Sequence, residues 1–584
     1  MKQAPALAPA EFSPLDLHIG RLLARLAPDC PEVELAAALV SRAAGQGHVC
    51  LPLEVLCVEA QDIHPDYPSL EELRERLLAS PVVSRTEATP LVLETADRLY
   101  LQRLHHDETM VARDLQKRAS IHFSFPELQT VLNALFPDSS ASDGQKTAAA
   151  MAATRGVVAI SGGPGTGKTY TAARIIALVQ ALEPDLRIAL AAPTGKAAAR
   201  LQEAIIDAME TLPAAYRQPP PTAGTLHRLL GYHPARGFKH DAENPLDLNL
   251  LLIDEASMVD LPLMASLLQA LPAACRLVLL GDRNQLASVE VGRLFADLCT
   301  PGSRGRASDN SAPRALSEDR VAAKDKKNAL AVCLLSENHR FSADSGIGRL
   351  CEAINTNEIA QVNEILSQDW PDLIHHADPS DPGWLHERIL TGYLPLSRQQ
   401  DPAAALAGLD HFRIICGLTR GRLGVEGLNI LTEHLLFSAG AISRRDQWYK
   451  GRPIMITAND YDLGLFNGDT GICWPDDTGM AMVWFQRGNG QVIPVRPAAL
   501  PPHQTAYAIT IHKAQGSEFG TTLMVLPEDD VPLLTRELLY TGISRARTLL
   551  LLHGDRELIH LGMSRQTRRF SGLGERLAGN CTRS

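Results

Sequence analysis

The chain has 584 residues, of which 45% are hydrophobic and 21% charged, and it carries a net charge of −11. That length exceeds one ordinary core and calls for several folding units, while the balance of apolar and charged residues excludes wholesale disorder. An acidic total lowers the expectation of a nucleic-acid partner without excluding one, because phosphate contacts need only a local track of Lys and Arg.

The opening residues "MKQAPALAPAEFSPLDLHIG" lack an apolar stretch behind a basic start. No uncharged apolar run reaches about eighteen residues, so neither export nor a membrane span is expected. Ten cysteines are scattered without a C-x2-C pair. They read as reduced thiols of a cytoplasmic protein rather than as a disulfide frame or a zinc site.

Residues 1–115 alternate helical patterns, such as "VELAAALVSRAAGQ" and "SLEELRERLLAS", with turns, and hold no reactive cluster. They predict a mainly helical domain for packing or docking. "HHDETMVARDLQKRAS" is expected to continue as a helix into a linker over 116–142, where "FPDSSASDGQ" concentrates Pro, Ser and Asp. From 143 to 335 short apolar runs, "GVVAIS", "RIALAAP", "LNLLLID" and "CRLVLLGD", alternate with helical stretches. Buried strands in that alternation predict an α/β domain with a parallel sheet covered on both faces. Within it, 301–327 loses all apolar periodicity and reads as a mobile surface insertion; its Lys and Arg leave contact with nucleic acid as the other reading. A second α/β pattern occupies 336–584 and contains "FRIICGL" and "LMVLP". Short β runs with Asn-Asp, Asn-Gly and Asp-Thr-Gly turns predict a small antiparallel barrel inserted at about 430–505.

The stretch "AISGGPGTGKTYTAARII" supplies the first chemistry. Gly162, Gly163, Pro164, Gly165, Thr166, Gly167, Lys168 and Thr169 satisfy G-x4-G-K-[ST] after a strand and before a helix, the context that makes the pattern a phosphate-binding loop. Glycines let backbone N–H groups curl around phosphates, Lys168 neutralises them, and the Thr169 hydroxyl suits Mg²⁺. "LLIDEAS" then places Asp254 and Glu255 at a strand end, one carboxylate for Mg²⁺ and one to orient water. Hydrolysis, or at least binding, of ATP or a similar triphosphate follows. Gln285 in "VLLGDRNQL" suits a γ-phosphate sensor, and Arg340 in "ENHRF" and Arg545 in "YTGISRAR" suit charge stabilisation across a domain cleft. Either arginine alone is better explained by a surface ion pair.

The ordered series "SDGQK", "GGPGTGKT", "APTGKAAARL", "GTLHRLLG", "IDEAS", "GDRNQLASV", "ENHRF", "TIHKAQGSEF" and "YTGISRAR" resembles superfamily 1 helicases. It is more closely similar to the RecD family, the alpha chains of RecBCD-type exodeoxyribonuclease V. The resemblance implies two RecA-like domains and an SH3-like barrel, with Gln145 at the adenine edge and Glu518 coupling the ATP cleft to DNA. It places Thr194, Lys196, Thr225, His227, Thr510 and His512 on a single-strand backbone; for the two histidines an ordinary interface role is the alternative. It further implies 5′ to 3′ travel, duplex-end DNA as substrate, and RecB-like and RecC-like partner subunits in a heterotrimer, with any nuclease centre in a partner.

Three features depart from the family pattern: Tyr170 in place of a small polar residue, Asn338 and His339 before Arg340, and the 301–327 insertion. The rival readings are a stand-alone 5′ to 3′ helicase and a regulatory subunit that uses ATP only as a switch. The joint presence of Lys168, Glu255 and Arg545 argues against a switch, which has no need of a water-orienting acid.

Overall fold

The computed structural model describes residues 12–137, 143–300, 330–337, 340, 344–379, 381–443, 447–460, 462–487 and 490–578. The 301–327 insertion and the Asn338–His339 departure lie outside the described residues.

Two parallel sheets organise the chain. The first has six strands in the order Ala331–Leu335, Val157–Gly162, Arg276–Gly281, Leu250–Ile253, Ile188–Ala192, Ala223–Thr225, all parallel. Its three central strands are buried at every position, as their unbroken Val, Ile and Leu runs require when helices cover both faces. The second has five parallel strands in the order Leu373–His376, Ala546–His553, Phe519–Val525, Phe412–Cys416, Ala508–Thr510. Both sheets end in loops along one edge, and the loops of the two sheets meet.

The small barrel is a five-stranded antiparallel sheet running from Pro453–Ile456 to His503–Thr505. Its strands begin well after residue 430. The intervening "VEGLNILTEHLLFS" is the helix Val425–Ser438, whose Val425, Leu428, Thr432 and Leu436 fall on one buried face at helical spacing. The stretch expected as a linker is likewise structured: the helix Gln102–Ala119 runs past residue 115, and Leu128–Leu135 is a further helix. Around its helices the N-terminal region holds a four-stranded mixed sheet of strands two to four residues long. Such strands are too short to show a period of two in the sequence. No helix among the described residues is long and apolar enough to cross a membrane. The nine described cysteines are all free and buried.

Candidate functional site

The glycine loop links the buried strand Val157–Gly162 to the helix Lys168–Leu182. Gly165 and Gly167 take φ of +79° and +77°, where a Cβ is strained, and this turns the loop's N–H groups toward one concave side. The loop is tightly closed: a Cβ on Gly162 would lie 2.3 Å from Thr166 Oγ1. Lys168 Nζ donates to the carbonyls of Gly162 at 2.7 Å and Gly163 at 3.1 Å, so the ammonium rests across the mouth of the loop. Thr169 follows in the helix's first turn, and Pro164 is buried beneath the loop. Gln145, on the helix Asp143–Thr154, donates through Nε2 to Thr166 O at 3.2 Å. Tyr170 turns away. Its ring lies 3.3 Å from the Arg174 guanidinium carbon and packs edge-on to Phe136, which makes it a packing residue of the helix's outer face.

The strand Leu250–Ile253, separated from Val157–Gly162 by Arg276–Gly281, delivers Asp254 and Glu255 to the same edge. Asp254 Oδ1 accepts from the Glu255 N–H at 2.9 Å, and Glu255 sits in the left-handed region at φ +52°. Strain of that kind at a non-glycine residue is concentrated at functional sites. Burial pushes both carboxyls up and the nearby Lys168 ammonium pulls each back, while Asp254 raises Glu255 further and Glu518 raises both. A cation between these acids and Lys168 would offset that rise.

The strand Arg276–Gly281 leads to Asp282 and Gln285, and here the second domain enters. Asp282 accepts from Gln285 Nε2 at 3.1 Å and from the Tyr540 hydroxyl at 2.9 Å. The Leu286 N–H donates to Thr541 Oγ1 at 2.9 Å, and Gln515 Nε2 donates to Leu286 O at 2.8 Å. Gln285 Oε1 is buried and without a partner. Arg545 is 2% exposed, wedged by bonds to the carbonyls of Thr541 at 2.9 Å and Ser517 at 3.2 Å. Arg340 holds Glu518 through two bonds of 2.7 Å. Burial acts to raise the Glu518 carboxyl, and the Arg340 guanidinium overcomes it and holds the group low. Arg200 ties the first domain to the same loop, donating to Gly516 O at 3.1 Å and Glu518 O at 3.0 Å. The structure thus gathers Lys168, Asp254, Glu255, Gln285, Arg545 and, through Glu518, Arg340 around one cleft. Arg200, Tyr540, Thr541 and Gln515 escaped sequence reasoning. Arg200 had a signal, standing one helical turn after Lys196.

The residues expected on a nucleic-acid track fall into three groups. Thr194 and Thr225 cap helices, accepting from the N–H groups of Ala197 at 3.2 Å and Arg228 at 3.1 Å, and Thr510 accepts from the Lys513 N–H at 3.2 Å. Lys196, Thr225, Arg200, Arg228, Arg413 and Arg487 line a cavity of about 380 Å³ between the first domain, the second domain and the barrel. Burial pulls the Lys196 ammonium down to about 7, and it lies 5.5 Å from the centre of the Phe519 ring. The barrel's Phe466 closes one wall so tightly that a Cβ on Gly195 would sit 3.2 Å from its ring. The histidines stand apart. His227 packs among Tyr232 and Phe238 with centroids at 5.5 and 5.8 Å, and burial lowers the proton affinity of both His227 and His512.

A glycine loop and acid pair on one parallel domain, closed by Arg340, Arg545 and Gln515 of a second, define a two-domain P-loop ATPase. Family models match in order the RecBCD enzyme subunit RecD N-terminal domain over residues 10–100, an AAA domain over 145–291 and a UvrD-like helicase C-terminal domain over 505–553. The RecBCD enzyme subunit RecD of Mycolicibacterium smegmatis is 36% identical over 97% of this chain and 97% of its own length. The ATP-dependent RecD2 DNA helicase of Deinococcus radiodurans is 31% identical over 70% of this chain, covering 48% of that protein. A Pif1 helicase from Bacteroides, solved with ADP-AlF3 and ssDNA, overlaps 72% of this chain and 93% of its own at 18% identity and a TM-score of 0.39. The chain belongs to the RecD family.

Proposed function

We propose that the chain is an ATP-dependent 5′ to 3′ DNA helicase and translocase subunit of a RecBCD-type exodeoxyribonuclease V. In this reading it assembles with RecB-like and RecC-like subunits and unwinds DNA ends during double-strand break repair by homologous recombination. It works in the cytoplasm, in keeping with nine free buried cysteines. Cutting belongs to a partner chain. The observation that carries the reading is the cross-domain contact set at Asp282 and Leu286, which joins the strand end beside the glycine loop to Tyr540, Thr541 and Gln515. Any movement of the nucleotide-side loop is thereby handed to the domain that forms the other wall of the basic cavity.

The residues fit Mg²⁺ and ATP: the loop supplies N–H donors, Asp254 and Glu255 are carboxylates raised by burial, and Lys168 is already held among carbonyl oxygens. Thr169 and Asp254 would hold the metal, which when bound neutralises phosphate charge. Glu255 orients the attacking water. Lys168 leaves its carbonyls for phosphate oxygens, Gln145 borders the base, and Gln285 offers its orphaned carbonyl to the γ-phosphate side. Arg545 and Arg340 stabilise transition-state charge from the second domain, Arg340 after release by Glu518. In this reading DNA contacts draw on Lys196 and Thr225, which line the cavity, and on Thr194, Thr510, His227 and His512, which lie outside its lining. Hydroxyl, lysine and N–H donors at strand ends suit sequence-blind backbone contacts.

The match of residues 10–100 to the RecD N-terminal domain favours the subunit over a stand-alone helicase. The deciding experiment is ATP hydrolysis with and without single-stranded DNA, and unwinding of 5′-tailed and 3′-tailed duplexes, by the chain alone and with its partners. DNA-stimulated hydrolysis and unwinding from 5′ tails are expected; hydrolysis indifferent to DNA, or unwinding only from 3′ tails, refutes the reading.

A further inference from the structure

After the helix Arg556–Ser564 the chain leaves the second domain and runs back across the first, residues 565–578 being fixed at three places. At the start, the Arg536 N–H donates to Arg565 O at 2.9 Å and the Thr567 N–H to Glu537 Oε2 at 3.0 Å. Both partners belong to the helix Arg536–Ile543, which also carries Tyr540 and Thr541. In the middle, Arg569 Nη1 donates to the carbonyls of Glu290 at 2.6 Å and Gly292 at 2.7 Å, and Arg293 Nη1 donates to Thr567 O at 3.3 Å. At the far end the segment is seated in the N-terminal region. Glu108, with no exposed surface, accepts from Ser571 Oγ at 2.7 Å, the Gly572 N–H at 2.9 Å, Tyr100 at 3.1 Å and Arg576 Nε at 3.2 Å. Arg576 also pairs with Glu94, and Phe570 stacks on His48 at 4.8 Å.

The stretch from Asp282 to Arg293 is therefore gripped twice by one body. Tyr540 and Thr541 hold its beginning, and the strap, itself hydrogen-bonded to Arg536 and Glu537 of the same helix, holds its end. Between the grips lies a small cavity lined by Ser257, Asp282, Gln285, Glu537, Thr567 and Arg569. Ser257 Oγ, Gln285 Oε1 and Arg569 Nε are buried without partners. A buried polar atom without a partner costs stability, and a native fold that keeps three of them in one small cavity calls for a functional explanation. The Gln285 amide is anchored through Nε2 on Asp282 at 3.1 Å, so its carbonyl points where the Asp282–Arg293 stretch, clamped by Arg569 at Glu290 and Gly292, sets that anchor.

We infer that residues 565–578 are a strap linking the N-terminal region to the ATP cleft, with Arg569 as a positioning residue that acts through the Asp282–Arg293 stretch on Gln285. The inference rests on the helicase reading above for the role of Gln285. Its consequence is that a partner gripping the N-terminal region pulls on the γ-phosphate side of the cleft through covalent chain and a buried ion network, not only through the domain interface.

The test is steady-state ATP hydrolysis at saturating single-stranded DNA, with the full chain alone and in its complex. Arg569→Ala is expected to lower kcat about ten- to hundredfold, the effect of a small misplacement of a reacting group, with KM for ATP nearly unchanged. Arg569→Lys keeps one donor on a similar stem and is expected to recover part of the loss. If the alanine variant loses its melting transition, Arg569→Gln replaces it; a lowered kcat with melting intact supports the inference and wild-type kcat overturns it. Arg576→Ala, at the far end of the strap, is expected to lower kcat in the same direction by a smaller factor. Melting lowered by Arg576→Ala with kcat untouched makes the strap a mere clasp and overturns the coupling. Failure of the wild-type chain to hydrolyse ATP refutes the helicase reading itself, so the two failures are read on different samples.

Discussion

The two parallel sheets are built alike and equipped differently. Each buries near-continuous apolar strands between helices, and each presents its loops to the shared cleft. In the first, the loop after Val157–Gly162 is all backbone: left-handed glycines, a helix start and one lysine folded over carbonyls. In the second, the segment between Thr510 and Phe519 brings Gln515 and Glu518, the helix Arg536–Ile543 brings Tyr540, and the wedged Arg545 follows that helix. Where backbone supplies the donors, the site is preformed and survives loss of a side chain; where side chains supply them, removing one also opens a hole. The contrast has measurable consequences.

The largest concerns Lys168. Lys168→Gln is expected to lower kcat for ATP about 10²–10³-fold, as loss of one preorganised charge does, while leaving the melting temperature close to wild type because the loop is held by its own backbone. Arg545→Ala on the other side is expected to lose a similar factor in kcat and, unlike Lys168→Gln, to destabilise the fold by about 1–3 kcal/mol through the abandoned carbonyls of Thr541 and Ser517. Equal melting temperatures for the two variants, read by calorimetry, break the comparison.

A third outcome sharpens it at the basic cavity. Lys196 has been pulled down to about 7 by burial, and a bound phosphate raises its proton affinity again. Below pH 7 the lysine is already charged and DNA affinity is at its full value; above pH 7 binding must take up a proton. Affinity for single-stranded DNA is thus expected to fall as pH rises from 7 to 8.5, by up to about tenfold per unit, and Lys196→Arg is expected to flatten that slope. Fluorescence anisotropy at fixed ionic strength measures both. The smallest effect is at Tyr170: Tyr170→Thr removes ring contacts with Arg174 and Phe136 and is expected to cost about 0.5–1.5 kcal/mol of stability with KM for ATP unchanged.

Local chemistry was legible throughout. The strand, glycine loop and helix around Lys168 could be read because their apolar run, turn glycines and helix start are consecutive. The same holds for Asp254 and Glu255, which close a buried strand. The N-terminal sheet was hidden by strands of two to four residues, and the helix Val425–Ser438 was absorbed into the expected barrel because turn-rich sequence follows it closely. Arg340 and Arg545 were legible as cations, but their partners were not. Glu518 is 178 residues from Arg340, and Tyr540 meets Asp282 across 258.

The sequence by itself determined what is covalently local: the parallel α/β units, the phosphate loop, the acid pair and the order of the motif series. Only the tertiary structure decided which side of the cleft each cation serves, that Lys196 lies buried beside Phe519, that Tyr170 faces outward, and that residues 565–578 strap the domains together. The reason is physical. A loop or strand is specified by the φ/ψ preferences and spacing of neighbours, whereas a contact between distant loops depends on how two independently folded sheets pack, and no periodicity along the chain records that.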